Sequence, residues 1–191
     1  MTKAKLGPST IMFPYPTVLV GAMVNGKPNF MTASWVGIAC SNPPAISVAI
    51  RPERHTYKGV VENQTFSINV PGSKLVKATD FCGIYSGRDN NKIDLFNIFY
   101  GKIDTAPLIE ECPLNLECKV IHTVEVGSHT VFIGEIMETH VNEDCLTKGK
   151  PDINKIDPII YATGTRQYHK IGDKIGRAFK IGDKKNLKDK Q

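Results

Sequence analysis

The segment RPERHTYK, residues 51–58, gathers Arg51, Arg54, His55 and Lys58 around the hydroxyl of Thr56. Cations and a hydroxyl at the start of a helical pattern can hold an anion. The first N–H groups of a helix lack partners and carry the positive end of its dipole. The same residues also fit a solvated basic turn capped by Thr56. A second cluster, SGRDNNK at residues 86–92, places Ser86, Gly87, Arg88 and Lys92 in a turn-rich loop of the kind that forms anion-binding concavities.

A third stretch, NFMTASWVGIACSNPP at residues 29–44, holds the only tryptophan of the chain among unusually small neighbours. On an extended strand Asn29, Met31, Ala33, Trp35 and Gly37 share one face, and Phe30, Thr32, Ser34 and Val36 the other. Small side chains let a flat ligand approach the backbone. The Asn29 amide and the Thr32 and Ser34 hydroxyls can both donate and accept. Alone, the stretch reads more readily as a barrel strand that makes room for crowded neighbours. Together with two anion-capable loops it describes a planar ring joined to a phosphate, as in FMN. Cys40 on the same strand reads as a small buried hydrophobe, with an approach to the ring as the alternative.

The elements that must position these groups are mostly strands. TVLVGAMV (17–24) leads through Asn25-Gly26, the strongest short hairpin signal, into NFMTASWVGI as one antiparallel partner. AISVAIRP (45–52) follows as a buried strand, then a helix over HTYKGVVEN with Val60 and Val61 facing inward. TFSINVP (65–71) is a strand, and SKLVKATDFCG a helix from a Ser73 cap to Gly83. Residues 84–113 are irregular. LNLECKVIHTVEVG and HTVFIGEIMETHV form a long hairpin, and PIIYATG (158–164) is a last strand. Turn signals every ten or so residues predict a mainly β antiparallel barrel or sandwich with short helical insertions. There is no G-x-G-x-x-G and no P-loop.

Composition narrows the function further. At 191 residues, 41% hydrophobic and 23% charged, the chain is one ordinary globular domain. The net charge of +5 lies in the tail, where residues 170–191 hold eight Lys/Arg against three Asp. The remaining body is neutral, which argues against nucleic-acid binding. We therefore expect a domain over 1–169 and a solvated basic tail over 170–191, in which KIGDK occurs twice. TVLVGAMV is too short to span a membrane, and the first residues lack the apolar core of a signal peptide, so the expected compartment is the cytoplasm. Five cysteines without a C-x-x-C pair are expected as free thiols and not as a metal site. His122 and His140 lie on alternating strands without ligand spacing.

The order PTVLVGAMVNGKPNFMTASW, NPPAISVAIRPERHTYKGVVENQTFSINVP, CGIYSGRDNNK and VGSHTVFIGEI resembles the flavin reductase-like, FMN-binding split-barrel family, its flavoredoxin branch most of all. The resemblance implies a Greek-key split barrel and a homodimer with FMN held noncovalently near the interface. It assigns Asn29, Met31, Thr32, Ala33, Ser34 and Trp35 to the ring and ribityl chain. Arg51, His55 and Thr56 would hold the phosphate, with Ser86, Gly87, Arg88 and Lys92 as the basic loop. His129 stands in Gly127-Ser128-His129, where family members often have an acidic residue in the middle, so a role needing that carboxylate does not carry over. Lys92 or His129 would be the cation near the ring, and Tyr168 an outside candidate to cover it. The implied activity is an oxidoreductase that takes a hydride from NADH or NADPH. The alternative is an electron carrier reduced by a redox protein.

Overall fold

Asn25 and Gly26 both adopt positive φ, 51° and 74°, in the computed structural model, which describes residues 1–183. This is the two-residue hairpin turn that an Asn-Gly pair favours. It joins β1 (Val18–Val24) to β2 (Lys27–Ala33), paired from Val18 opposite Ala33 to Val24 opposite Lys27. β3 (Val36–Ser41), β4 (Pro44–Ile50), β5 (Thr65–Val70), β6 (Leu114–Val126) and β7 (His129–Val141) complete an antiparallel sheet. Its order is β2-β1-β5-β6-β7-β4-β3.

The two edges of this sheet, β2 and β3, are consecutive in sequence. The chain therefore passes from one edge directly to the other through Ser34 and Trp35. Met31 of β2 shares a buried cluster with Ile46 and Val48 of β4, so the sheet curls until its edges face each other without a continuous ladder. The result is the mainly β split barrel that the sequence predicts. Its interior is filled by Val20, Phe66, Ile68, Phe132 and their neighbours.

One expectation fails here. NFMTASWVGI is not a single strand. It leaves the β1 ladder after Ala33, and Trp35 is picked up across the gap by a hydrogen bond from Ala49 N to its carbonyl (2.9 Å). The alternation of faces ends at that break. Phe30 is as buried as Met31, because a second apolar cluster of Leu19, Phe30, Cys82, Phe96, Ile109 and Cys112 covers the outside of β1 and β2. Cys40, expected in the core, is exposed on the outer edge strand.

α1 (His55–Asn63) lies against β1, a contact close enough that a Cβ at Gly59 would overlap the Met23 carbonyl. Val60 is buried but Val61 is 44% exposed, since successive helical residues point about 100° apart. α2 (Val76–Ile84) follows a 3₁₀ turn over Ser73–Leu75. Ser73 is not its cap, because the Ser73 hydroxyl donates to the Asp157 carboxylate, and Gly83 lies inside the helix, not beyond it. Tyr15–Pro16, Ile160–Ala162 and Gln167–His169 form a small separate sheet. Lys170 pairs with Asp157 at 2.9 Å, and residues 184–191, which include the end of the second KIGDK, lie outside the described residues. Among the described residues no helix is long and apolar enough to cross a membrane, and no group of three or more His, Cys, Asp or Glu could hold a metal ion. All five cysteines are free.

Candidate functional site

α1 begins without a side-chain cap. Its N-cap is Arg54, in extended backbone conformation (φ −69°, ψ 135°); the Tyr57 N–H donates to the Arg54 carbonyl at 3.0 Å, which leaves those of His55 and Thr56 for another partner. Thr56 sits one residue inside the helix and is fully buried. Its hydroxyl oxygen accepts a hydrogen bond from Asn29 Nδ2 at 2.6 Å, which leaves the hydroxyl hydrogen to point elsewhere. These groups border a cavity of about 260 Å³, together with His55, Ser86, Gly87 and Lys92. Gly87 is packed so tightly on Asn29 that a Cβ would overlap the amide oxygen.

The charges of this lobe are unusual. Lys92 is only 4% exposed, and its ammonium donates to the carbonyls of Phe30 (2.9 Å) and Cys82 (3.0 Å). An ammonium has three donors, so one remains, and both partners found are neutral. Burial pushes its pKa below the usual lysine value. His55 Nδ1 is buried without a hydrogen-bond partner. Burial first, then the positive charges of Arg88, Lys58 and Lys92, hold the His55 pKa below its ordinary value. An anion would supply what both groups lack.

The second lobe, about 160 Å³, meets the first at Met31 and Arg54, which border both. Its walls include Thr32, Ala33, Ser34, Trp35, Arg51 and His129. Thr32 turns its hydroxyl to the Thr79 carbonyl of α2. The His129 imidazole lies on the Trp35 indole with ring centroids 4.6 Å apart at 34°. Its Nδ1 is 2.9 Å from Ser128 Oγ, so a hydroxyl stands in place of the acidic residue that family members often carry there. Burial and Arg51 lower the His129 pKa, with Glu53 acting in the opposite sense.

The structure brings together most residues singled out from sequence, but distributes them differently. Arg51 belongs to the lobe of Trp35, not to that of His55 and Thr56. Lys92 lies in the lobe of Thr56, while His129 lies in the other. Arg88 stands at the exposed rim, bordering a wider recess of about 810 Å³ that opens beside His55 and Gly87. Tyr168 packs on Tyr161 and donates its hydroxyl to Asp80 at 2.9 Å, so that group is already engaged. Of the lining residues, Tyr85 and Cys82 have no assigned role in the sequence reading, and Arg54 is there an anion-capable cation but not one of the residues that the resemblance assigns. Arg54 was visible as part of the basic segment, whereas nothing local marks Cys82 or Tyr85.

An uncapped helix start, a buried ammonium with a donor to spare and an unpartnered imidazole nitrogen suit a phosphate. A lobe walled by small residues and ended by Trp35 suits a flat ring. The residues present therefore fit FMN. Fold and site together define a split barrel of the flavin-binding kind. Residues 10–172 match the flavin reductase like domain family, and the chain belongs to that family. The flavoredoxin of Methanosarcina acetivorans is 42% identical, with a TM-score of 0.93 over 96% of this chain and 98% of that one. The flavoredoxin of Desulfovibrio vulgaris (Miyazaki F) is 40% identical, with a TM-score of 0.89 over 95% and 100%. A ferric-chelate reductase (NAD(P)H) of Archaeoglobus fulgidus is 27% identical over 68% of this chain and 78% of its own length.

Proposed function

We propose that this protein is an FMN-dependent oxidoreductase that accepts electrons from NADH or NADPH and passes them on. The observation that carries the reading is the two-lobed cleft, with a buried ammonium held only by carbonyls and an unpartnered imidazole nitrogen in one lobe and a small-walled slot beside Trp35 in the other. When bound, FMN supplies hydride and electron transfer, which no side chain here can perform. The chain's own residues bind and orient. The α1 N-terminus, Thr56, His55 and Lys92 hold the phosphate, with Ser86 and Gly87 shaping the loop around it. Asn29 fixes Thr56, Arg54 spans the junction of the lobes, and Thr32, Ala33, Ser34, Trp35 and His129 set the plane of the ring.

The active form is a homodimer. Ile38 on the edge strand is 70% exposed, and Val124 and Val126 at the tip of the long hairpin are 48% and 57% exposed. Such apolar surface favours burial against a second copy.

A second reading is an electron carrier without its own nicotinamide site, reduced by a redox protein. It is favoured by the two flavoredoxin structures at 40–42% identity. Anaerobic stopped-flow mixing of the FMN-loaded protein with excess NADH, and separately with excess NADPH, decides between them. Bleaching of the flavin absorbance with either nucleotide supports the oxidoreductase. No bleaching with either, while dithionite reduces the flavin normally, leaves the carrier. A protein that never retains FMN overturns both.

A further inference from the structure

Behind Trp35, on the side away from the charged cleft, lies a recess of about 470 Å³. It is lined chiefly by Met12, Tyr15, Pro16, Trp35, Val36 and Gly37, and none of its lining residues is charged. Two of the four hydroxyls in its lining, those of Tyr15 and Ser47, are committed. The Tyr15 hydroxyl donates to the Thr10 carbonyl at 2.5 Å, tying residues 10–15 down as one wall, and Ser47 Oγ donates to the Gly37 carbonyl at 3.1 Å. Trp35 and Met12 nevertheless remain 40% and 62% exposed, a poor use of large apolar side chains unless something covers them. The recess shares Ser34 and Trp35 with the ring lobe, so a single indole separates the two.

We propose that this recess is a binding site for a neutral, single-ring aromatic compound. An apolar cavity of about 150 Å³ already holds benzene, so the space here admits a substituted ring. The indole of Trp35, the ring of Tyr15 and the face of Pro16 are flat walls of the kind on which an aromatic ring packs. The uncharged lining selects against carboxylates and amines, which would lose their hydration with no opposite charge in return. The inference does not depend on FMN. It is also distinct from the proposed subunit contact, because Gly37 and Ile38 point to opposite faces of the same strand.

The test uses the full chain, with and without FMN, and benzyl alcohol as the probe, against benzoate and benzylamine. Trp35 is the sole tryptophan, so its fluorescence reads the recess directly. We expect a saturable millimolar response to benzyl alcohol and at least tenfold weaker binding of the two charged analogues. A Cβ at Gly37 meets open space, so Gly37→Leu fills the recess without a clash and should weaken binding at least tenfold. Met12→Lys, at an exposed position, should do the same by introducing a charge. No saturable response, equal binding of benzoate, or unchanged binding in a folded Gly37→Leu or Met12→Lys protein overturns the proposal. Loss of a dimer in light scattering on Gly37→Leu overturns it too, since the recess would then be a contact between copies of this chain.

Discussion

Asn29 Nδ2 donates to Thr56 Oγ1 at 2.6 Å, with both side chains buried, and so joins β2 to the first turn of α1. The bond crosses 27 positions of sequence and fixes a hydroxyl beside the unpaired His55 and Thr56 N–H groups of an uncapped helix. With its oxygen taken by Asn29, Thr56 has its hydrogen left for an acceptor in the cleft. On the proposed reading that acceptor is the FMN phosphate, a partner that a helix cap would not have.

Replacement by alanine therefore has a selective effect. Thr56→Ala removes one hydrogen bond to a charged group, a loss of about 1.5–3 kcal/mol. That corresponds to roughly a tenfold to hundredfold weaker FMN affinity. Riboflavin, which lacks the phosphate, should bind the variant nearly as well as it binds the parent. Calorimetric titration with both flavins checks this, and equal losses for the two would remove Thr56 from the phosphate site.

His55 makes the same lobe sensitive to pH. In the free protein its pKa is held below the ordinary value by burial and by Arg88, Lys58 and Lys92. A bound phosphate would favour the imidazolium and raise it. Proton uptake then accompanies binding between the lowered and the raised pKa, so affinity falls as pH rises through that window, by at most about tenfold per unit. The second ionisation of the phosphate, near pH 6, acts in the opposite direction. His55→Gln removes the protein's contribution and keeps the ligand's. Kd measured from about pH 5 to 8 should therefore diverge between parent and variant for FMN, and stay parallel for riboflavin.

Much of this arrangement is legible in the sequence, and the failures share a cause. Asn25-Gly26 fixes a hairpin because turn chemistry is local. The basic segment around His55 and the small residues before Trp35 are local features too, and the structure brings them to two adjoining lobes of one cleft. The break at Ser34 and Trp35 is not local. It depends on β4 standing opposite β2, which is decided by the closure of the whole sheet. Once that break is missed, Arg51 is grouped with His55 and Thr56, although it borders the lobe of Trp35, and Cys40 is placed in the core. Lys92 was found, but its ties to the carbonyls of Phe30 and Cys82, on two different elements, are invisible along the chain.

The far end of the barrel offers a stability test. Glu117 is fully buried on β6, with Oε2 accepting from the Ile103 backbone N–H at 2.7 Å and Oε1 2.7 Å from His140 Nε2. Gly101 is packed so closely on this carboxylate that a Cβ would overlap it. Glu117→Leu leaves the Ile103 N–H without its acceptor, at a cost of about 1–3 kcal/mol. For a chain of this size each kcal/mol lowers Tm by roughly 2–4 °C. Calorimetry should find that drop, with FMN affinity unchanged, because the pair borders neither lobe of the cleft.

The dimer is tested at Ile38. Light scattering at micromolar concentration should give about twice the 21.1 kDa of one chain. Ile38→Asp places a charge on the apolar edge and should shift the mass toward the monomer. A monomeric parent, with and without FMN, removes the dimer from the reading.

The last prediction separates His129 from Lys92. Sequence reasoning offered both as the cation near the ring, but the cleft divides them: His129 stacks on Trp35 in one lobe, and Lys92 lies beside Thr56 in the other. His129→Gln should alter the electrostatics of the ring and leave the phosphate untouched. A change of about 1 kcal/mol in the interaction with the reduced ring moves the two-electron midpoint potential by roughly 20 mV. The ratio of FMN to riboflavin affinity should not change. Lys92→Met should do the reverse, reducing that ratio at least tenfold with little effect on potential, since the lost partner is a charged donor to the phosphate. Because Lys92 also ties Phe30 to Cys82, its variant will be less stable, and the affinity ratio is the readout that a merely structural role would not move. Spectroelectrochemical titration and paired binding isotherms supply both quantities. A potential that shifts in the Lys92 variant but not in the His129 variant would exchange the two assignments.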